Sequence, residues 1–467
     1  CLSMTRESGR IGMIVPRTFM FKRSLEEFRE DFIGRLGTFD FLAEYGNGVL
    51  DNATVRTAGT VVRAGTATRT QPSAKFIRLH DVPKEQKERR FLETSFTGDS
   101  GDVERRFVRD LDEFSLIPGS PLSYWMPEAV RSLFDADVVF DANNGGLDVE
   151  SAGSVKAGLT TGDNDRFVRR FWESSHSGFV PYAKGGKDAW LLPRVDRTLY
   201  WGQNGAEVKR HPGSYPRNED YYFEEVLTYT YLKEGGRRFG YLNPGSLFDH
   251  AGKIFAPDVD SWSMLGYANS HLITYLMLGQ TPDRHWEVSH VSRLPWPSDL
   301  EGGGRIAQLP KDAVGQIIRK RQHEFNSPYY CGPVLLHVLG VDDALSRYEH
   351  PHRKLRENLD IEDADSEVGK SASMEELGTE AARHLASVGE SFQSCTDDID
   401  EAVFDSFGIT DEQRETILQE IALRTNENPR ERKQYTPSTV TAPSDDFPEQ
   451  VKDLLLHCTL RAIDDGA

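Results

Sequence analysis

The chain has 467 residues, 38% of them hydrophobic, and is therefore long enough for two to four domains with cores of their own. Apolar runs stay well short of the roughly 20 residues that a membrane-spanning helix needs, and the opening CLSMTRESGR is not organised like a signal peptide. The four cysteines are far apart and lack CxxC spacing, which indicates neither a zinc site nor a disulfide framework. We therefore predict a cytoplasmic protein without a membrane partner.

The net charge of −19 comes mainly from the last third of the chain. Residues 301–467 contain 33 acidic and 18 basic residues, whereas residues 151–253 contain 15 basic and 12 acidic ones. Attraction to phosphate depends on a local basic patch, so the acidic total does not exclude a nucleic-acid ligand. Arginine outnumbers lysine 39 to 16. With the acidic surface, this excess favours a halophile, whose cytoplasm is rich in salt, although a GC-rich genome would also raise arginine.

The first 75 residues predict a strand, a helix and a hairpin. Residues 10–21 (RIGMIVPRTFMF) have the length of a buried strand, and the segment after them has apolar residues at helical spacing. Ser24 is the expected N-cap of this helix. The apolar face of the helix would consist of Leu25, Phe28, Phe32 and Leu36. Two further strands, FDFLAEY and TVRTAGTVVRAG, flank a glycine-rich turn at 46–48.

The rest of the chain divides into segments of different composition. Residues 76–116 are charged and predict a helical connector, and residues 117–300 alternate short strands with Gly, Pro and Asn turns, as in a mixed α/β domain. Five segments follow: a helical extension (301–359), an acidic linker (360–373), a helical segment (374–428), a flexible linker (429–449) and a C-terminal helix (450–467). The helical segment contains a capping-box pattern that starts at Thr410.

The most informative stretch is GLTTGDNDRF, at residues 158–167. It places two glycines and three Asn or Asp side chains in ten positions, which predicts a tight turn that leads into a strand. Such a turn would present Asn164 and Arg166 beside an aromatic residue. From the residues alone, the stretch is either a simple hairpin or a polar surface that reads a ligand.

The same stretch closely resembles the GLxTGDNDRF signature of adenine-specific DNA methyltransferases of the phage-growth-limitation X type, from BREX-like phage-defence systems. Other segments follow in the order of that family: IPGSPLSYWMPEAVRSLF (117–134), FVPYAKGGKDAWLL (179–192), YPRNEDYYFEEVLTYT (215–230), NPGSLFDHAGKIFAP (243–257) and MLGYANSHLITYLMLGQTPDRHWEVSHVSRLPWP (264–297). The last segment is similar to the end of many restriction–modification target-recognition domains. The resemblance extends from about residue 9 to about residue 300, and more loosely beyond.

The resemblance implies an α/β fold with three parts. Residues 1–75 are similar to the C-terminal end of a Rossmann-like methyltransferase sheet, since GRIGMIVPRTFMF resembles the strand that follows the catalytic loop. Residues 117–300 would form a mixed α/β target-recognition domain, and a helical acidic tail would follow. On this interpretation the chain begins inside a catalytic domain, and Cys1 in place of an initiator methionine indicates the same.

Neither loop that the chemistry of this family requires is present in convincing form. The family binds S-adenosylmethionine with a glycine-rich loop after a strand, and holds the flipped base with an (Asn/Asp/Ser)-Pro-Pro-aromatic loop. The glycines at 302–304 follow no predicted strand, and the sequence SPYY at 327–330 lacks the second proline and lies after the recognition domain. We therefore predict no catalytic residue here, and expect the missing part of the enzyme to bind S-adenosylmethionine.

Metal binding is not predicted either. The candidate ligands near the end of the recognition domain are irregularly spaced and lie in a segment that resembles a structural element of the family. These candidates are His271, Asp283, His285 and His290.

Residues around the signature are predicted to contact DNA. Arginine reads guanine, asparagine reads adenine, and lysines with backbone amides hold phosphates. Gly185 and Gly186 would allow a phosphate to approach the backbone closely. The predicted DNA-binding residues are Lys156, Asn164, Arg166, Arg169, Arg170, Tyr182, Lys184, Lys187, Arg217, Asn218, Tyr221 and Tyr222.

Two functions are compatible with this pattern. The first is the target-recognition and C-terminal region of a site-specific N6-adenine DNA methyltransferase of restriction–modification or phage defence. Its partners would be double-stranded DNA, the N-terminal catalytic half of the same enzyme and other phage-defence proteins. The second is a stand-alone DNA-binding specificity subunit that serves a separate catalytic protein.

Overall fold

The computed structural model describes residues 5–6, 9–31, 37–50, 55–64, 73–96, 103–174, 178–185, 190–233, 236–282, 285–297, 300, 304–341, 352, 354–361, 373–425 and 447–465. The fold is a mixed α/β structure with two compact units. Unit 1 contains residues 1–137, 276–283 and 293–295, and unit 2 contains residues 138–275, 284–292 and 296–467. Within the described ranges, no helix combines the length and the apolar character needed to cross a membrane.

Fifteen strands are present in the described residues: β1 (Arg10–Pro16), β2 (Gly37–Gly46), β3 (Thr57–Ala64), β4 (Ser73–Arg78), β5 (Arg106–Asp110), β6 (Val138–Val139), β7 (Glu150–Ser151), β8 (Gly153–Lys156), β9 (Val168–Arg170), β10 (Phe179–Ala183), β11 (Arg197–Tyr200), β12 (Val226–Thr230), β13 (Phe239–Leu242), β14 (Leu247–Phe248) and β15 (Gly252–Pro257).

The α-helices of the described residues are α1 (Glu26–Asp31), α2 (Lys87–Phe96), α3 (Glu128–Arg131), α4 (Ala142–Gly145), α5 (Asn164–Phe167), α6 (Gly202–Arg210), α7 (Ser261–Ala268), α8 (His271–Gln280), α9 (Val288–Val291), α10 (Arg305–Arg321), α11 (Val334–His337), α12 (Lys354–Asn358), α13 (Met374–Ser406), α14 (Asp411–Arg424) and α15 (Phe447–Asp464).

Unit 1 is built on a five-stranded sheet with the order β1-β3-β2-β4-β5. β2 and β3 form the antiparallel hairpin that the sequence predicts, and β2 pairs in parallel with β4. The prediction of a buried first strand is wrong: among the described residues β1 pairs with β3 alone, at the edge of the sheet, and Ile14 is 54% exposed. The N-cap prediction is also wrong, since Ser24 lies inside a 3-10 turn before α1. Phe32 and Leu36 lie outside the described residues.

The sheet of unit 1 continues beyond residue 75. β4 starts at Ser73, and β5 pairs antiparallel with it. The predicted connector at 76–116 therefore contains a strand as well as α2, and the segment borders remain predictions. Inside the sheet, the buried carboxylate of Glu44 pairs with Arg17 and accepts a hydrogen bond of 2.6 Å from the Tyr124 hydroxyl.

Unit 2 contains two four-stranded sheets, with the orders β14-β10-β11-β9 and β13-β12-β15-β8. β12 is buried along its whole length and pairs with a strand on each side. The principal core includes the buried side chains of Leu159, Phe167, Leu199, Phe248 and Ile254, which come from both sheets and from the segment between β8 and β9.

The C-terminal helices of unit 2 form a second apolar cluster. α11, α13 and α15 pack through Val334, Leu335, Val338, Leu377 and Ala381, with partly buried side chains of α15 against them. The predicted capping box of α14 is confirmed: the Gln413 amide donates to the Thr410 hydroxyl at 3.3 Å, and the Thr410 amide donates to the Gln413 side chain at 2.9 Å. Most of the two predicted linkers lies outside the described residues.

Candidate nucleic-acid interface

The signature turn, residues 158–167, ends in a single turn of helix and is not a hairpin. α5 starts after Asp163, whose carboxylate accepts a hydrogen bond of 3.0 Å from the Arg166 amide. The Thr161 hydroxyl donates to the Asn164 side chain at 2.9 Å. The strands on either side, β8 and β9, belong to different sheets, so the simple hairpin interpretation is wrong. The expected strand after the turn is present as β9.

Two glycines of the signature turn are required by the close approach of other backbone segments. A Cβ atom on Gly158 would lie 2.3 Å from the carbonyl oxygen of Phe248 and 2.5 Å from that of Asp249. Gly162 has a φ of +75°, and a Cβ atom there would lie 2.7 Å from the Ser214 nitrogen. Any side chain at these positions would push the segments apart.

The signature turn thereby joins three segments that are distant in sequence. The Leu159 amide donates to the carbonyl of Phe248 at 3.0 Å. Thr160 and Tyr215 exchange two backbone hydrogen bonds, of 3.1 and 2.8 Å. Because Leu159 and Phe167 are buried in the core, the polar residues between them, apart from the buried Thr161, are held at the surface beside the segment that starts at Tyr215.

The residues at this junction are aromatic and basic, and Arg217 among them is partly buried. Tyr215 is 59% exposed, and the Arg217 guanidinium lies over its ring at 4.3 Å from the centroid. Arg217 forms no ion pair with any residue that the structure describes. Arg166 lies over the ring of Phe167, and its one ion pair with a described residue is exposed, at 3.3 Å from Glu207. Together with Asn164, which is exposed, these residues form what we call the signature surface.

Other predicted residues lie beside the signature surface and support it. The Asn218 side chain donates to the carbonyl of Ala157 at 2.8 Å, and its left-handed backbone turns the chain after Arg217. The Lys156 ammonium lies 5.8 Å from the centroid of the Tyr221 ring, within the range of a cation–π contact. These contacts tie the ends of β8 and of the 215–221 segment together.

Tyr182 and Tyr222 are buried rather than exposed. Tyr182 is 1% exposed, and its hydroxyl donates to Asp249 at 2.8 Å. Tyr222 is 6% exposed, and its hydroxyl donates to the carbonyl of Arg217 at 3.0 Å. Burial raises the pKa of Tyr222 to about 12. Both rings belong to the core beneath the signature surface, so they position its residues without facing solvent.

The remaining predicted residues are engaged with the protein itself. Arg169 donates to two carbonyls of its own turn, and Arg170 pairs with Asp196. The Lys184 ammonium lies 3.2 Å from the carboxylate of Asp249. Lys187 lies outside the described residues, as does Gly186.

The segment that superficially matches a catalytic loop is buried. Tyr329 and Tyr330 are 2% and 0% exposed, and the Tyr330 hydroxyl is hydrogen-bonded at 2.9 Å to His457. Of the candidate metal ligands named from the sequence, His271 is bound to Asp400, and Asp283 lies outside the described residues.

Two proteins of similar sequence are named adenine-specific methyltransferases, the class of enzyme that the motifs indicate. The chain is 26% identical over 347 residues to the adenine-specific methyltransferase BrxX of Escherichia coli O9:H4 (strain HS), covering 70% of this chain and 26% of that protein. It is 24% identical over 327 residues to the adenine-specific methyltransferase PglX of Lacticaseibacillus casei (strain Zhang), covering 62% and 25%. The chain thus spans about a quarter of the length of these relatives. No known protein-family profile matches it.

Among solved structures, similarity is weaker. The type IIL restriction–modification enzyme MmeI in complex with DNA has a TM-score of 0.39 at 10% identity, covering 89% of this chain and 50% of MmeI. The type IIG restriction endonuclease BpuSI has a TM-score of 0.28 at 11% identity, covering 87% and 48%. TM-scores this low do not establish a shared fold. The sequence matches confirm the resemblance predicted from the sequence: the chain is related to the adenine-specific methyltransferases BrxX and PglX.

Proposed function

We propose that this chain is the target-recognition and C-terminal region of a site-specific N6-adenine DNA methyltransferase. The observation that carries the proposal is the signature surface, where the turn of the signature holds Asn164 and Arg166 beside the stacked pair of Tyr215 and Arg217. Double-stranded DNA is the ligand, and the catalytic half of the enzyme binds S-adenosylmethionine.

The chemistry of the signature surface suits a nucleic acid. Guanidinium groups bind phosphates and guanine edges through two parallel hydrogen bonds, and asparagine can do the same with adenine. Arg217 has no competing carboxylate among the described residues, and the exposed pair of Arg166 with Glu207 is weak in water. These groups are therefore available to DNA, while the buried Gly158 and Leu159 and the close backbone contact of Gly162 hold the backbone beneath them in place.

The first prediction concerns Arg166. Its replacement by alanine should weaken binding to the cognate duplex by about 1–3 kcal/mol, since that is the contribution of one good base contact. The measurement is the affinity of the chain, combined with its catalytic half, for cognate and scrambled duplexes at two salt concentrations. The cognate site is obtained from the methylation pattern of the host genome.

A matched control is Arg305→Ala in α10. The Arg305 side chain is 55% exposed and ion-paired, much like that of Arg166 at 56%, but it belongs to the C-terminal helices. Arg305→Ala should leave the affinities for the cognate and the scrambled duplex unchanged. If Arg166→Ala weakens binding to all sequences alike and reduces the slope of log affinity against log salt concentration by about one, Arg166 contacts a phosphate. If a folded Arg166→Ala variant keeps the affinity and the salt slope of the wild type, the signature surface does not bind DNA.

The alternative is a stand-alone specificity subunit for a separate catalytic protein. Under both functions, the exposed apolar groups at the edge of unit 1 favour direct binding of a catalytic protein there. Ile14 on β1 is 54% exposed, and a groove of about 380 Å³ lies beside the strand. The groove is lined by apolar side chains that include Met13, Val15, Phe19, Phe28, Phe39 and Val62. We propose that the catalytic half docks here, because an open strand edge and an apolar groove are what an added part of a sheet would cover.

Reading the genomic DNA immediately upstream separates the two functions. A continuous reading frame that encodes the glycine-rich loop and an Asn-Pro-Pro-Tyr motif indicates one enzyme, and an adjacent separate frame indicates a split enzyme. If neither is present, the stand-alone subunit is favoured.

The second prediction tests docking at the sheet edge. Ile14→Lys should weaken association with the catalytic half at least about tenfold, since burying an isoleucine contributes about 1.5–3 kcal/mol and a lysine ammonium resists burial. Val108→Lys is the control, because Val108 is 52% exposed on β5 at the opposite edge of the same sheet. Association is measured by calorimetry, and methyl transfer by the mixed halves is the second readout. Equal effects of the two substitutions would contradict docking at β1.

A further inference from the structure

Three histidines that the DNA-binding surface does not use meet in the C-terminal helices of unit 2. His323 follows the end of α10, His337 ends α11, and His384 lies on α13. Each offers a ring nitrogen, and these nitrogens all lie within 4.8 Å of one another. Their ring centroids are 4.7 to 5.8 Å apart. No cysteine, aspartate or glutamate among the described residues joins the group.

The hydrogen bonds of His323 orient it toward its neighbours. Its Nδ1 lies 2.9 Å from the carbonyl oxygen of Gly332, so Nδ1 carries the proton and donates. Nε2 then keeps its lone pair, and the Gln322 side-chain amide nitrogen, 3.4 Å from it, is the donor that a metal ion would displace. A backbone carbonyl behind the distal nitrogen is the usual support for a histidine that binds a metal ion. His323 is only 9% exposed, so the orientation is fixed by packing as well.

A polar atom in the cluster has no protein partner. Nε2 of His384 is buried and forms no hydrogen bond with any residue that the structure describes. Buried polar atoms almost always have a partner, and an ion is one of the few explanations when the protein supplies none. His337 and His384 are both partly exposed, which leaves a path from solvent.

The rings are available as ligands at neutral pH. Burial lowers the pKa of His323 to about 3 and that of His384 to about 4, and the neighbouring histidines add to both shifts. Metal ions bind the neutral imidazole. Two cations lie near the cluster, Arg356 on the His323 side and Arg319 on the His384 side, and they oppose a divalent ion. Binding must therefore come from coordination rather than from local negative charge.

We propose that His323, His337 and His384 bind one Zn²⁺ ion through their ring nitrogens. In a tetrahedral site with Zn–N distances of about 2.1 Å, ligand nitrogens are about 3.4 Å apart, so small ring rotations complete the geometry. Three imidazoles with a fourth position open to water form a recognised zinc environment. Because the ligands come from the segment after α10, from α11 and from α13, the ion would fasten helices that pack on one another in unit 2.

The experiment uses the full chain and ZnCl₂, in competition with a chromophoric chelator. The wild-type chain should bind one zinc ion per molecule with a Kd below about 1 μM, and its melting temperature should rise with zinc concentration. His384→Gln should weaken binding by about 100-fold or more, since even the loss of a group that only supports a ligand weakens metal binding 10–100-fold. His250→Gln, at an exposed histidine outside the cluster, should leave stoichiometry and affinity unchanged.

X-ray absorption spectroscopy of the zinc-loaded wild-type chain keeps the test independent of how the variants fold. The expected spectrum has a first shell of nitrogen and oxygen, with outer-shell scattering from three imidazoles. Zinc bound through sulfur or with fewer imidazoles would overturn the proposal. So would the absence of stoichiometric binding, or a folded His384→Gln chain that binds zinc as tightly as wild type.

Discussion

Replacing Asp400 by asparagine should lower the free energy of unfolding by about 3–5 kcal/mol, since it leaves a buried guanidinium without its counter-charge. Asp400 lies on α13 and is 4% exposed. Its carboxylate pairs with Arg237 and accepts a hydrogen bond of 2.7 Å from the His271 amide. Urea denaturation of both chains at pH 7 measures the difference.

Asp398→Asn is the matched control on the same helix. Asp398 is 39% exposed and lies 2.9 Å from Arg305, so its loss should change the free energy of unfolding by less than about 1 kcal/mol. If the two substitutions have similar effects, the buried pair between α13 and the segment before β13 does not stabilise unit 2.

The contribution of Asp400 should also depend on pH in a defined direction. Burial alone would raise its pKa, but the charge of Arg237 and the hydrogen bonds with His271 lower the pKa to about 2. The unfolded value is about 3.9, so the stabilisation is present above about pH 4 and is lost as the pH falls from 4 toward 2. The difference in stability between wild type and Asp400→Asn should therefore shrink over this range.

Features with local signals could be predicted from the sequence. The β2–β3 hairpin follows from its glycine-rich turn, and the start of α14 follows from the capping box at Thr410. By contrast, the buried pair of Asp400 with Arg237 joins residues 163 positions apart, and the three histidines have no regular spacing. Tertiary contacts bring these groups together, and no periodic pattern in the sequence predicts that they are close.

In the candidate site, too, the local features could be predicted from the sequence and the tertiary contacts could not. The glycines of the signature predicted a turn, and a turn is present, but as a capped helical turn whose position depends on contacts with distant backbone. Tyr215 was not among the predicted residues, because only its pairing with Thr160 brings it to the signature surface. Tyr182 and Tyr222 are residue types suited to a DNA contact, yet both side chains are buried in the core. Tyr182 lies on β10, where a side chain can point to either face of the sheet, and Tyr222 follows a 3-10 turn.

Gly158→Ala should lower the free energy of unfolding by about 3 kcal/mol, the upper part of the range for overpacking, and should weaken DNA binding on cognate and scrambled duplexes more than Arg166→Ala does. The added methyl would lie 2.3 Å from the carbonyl oxygen of Phe248, which accepts the hydrogen bond of Leu159. Backbone must therefore move, because no flexible side chain can yield there. The displacement would separate the signature turn from β14 and shift Tyr215 with it.

Gly389→Ala adds the same methyl group on α13, where no atom lies within 4 Å of the new Cβ. It should raise the free energy of unfolding by about 0.5–1 kcal/mol, because alanine is the better helix former. The two variants carry the same chemical change, one at a crowded position and one at an open position. Thermal and urea denaturation compare their stabilities, and duplex binding is the second readout. If Gly158→Ala unfolds no more easily than wild type, the signature turn is not clamped against β14, and the positioning of Arg166 and Tyr215 must depend on other contacts.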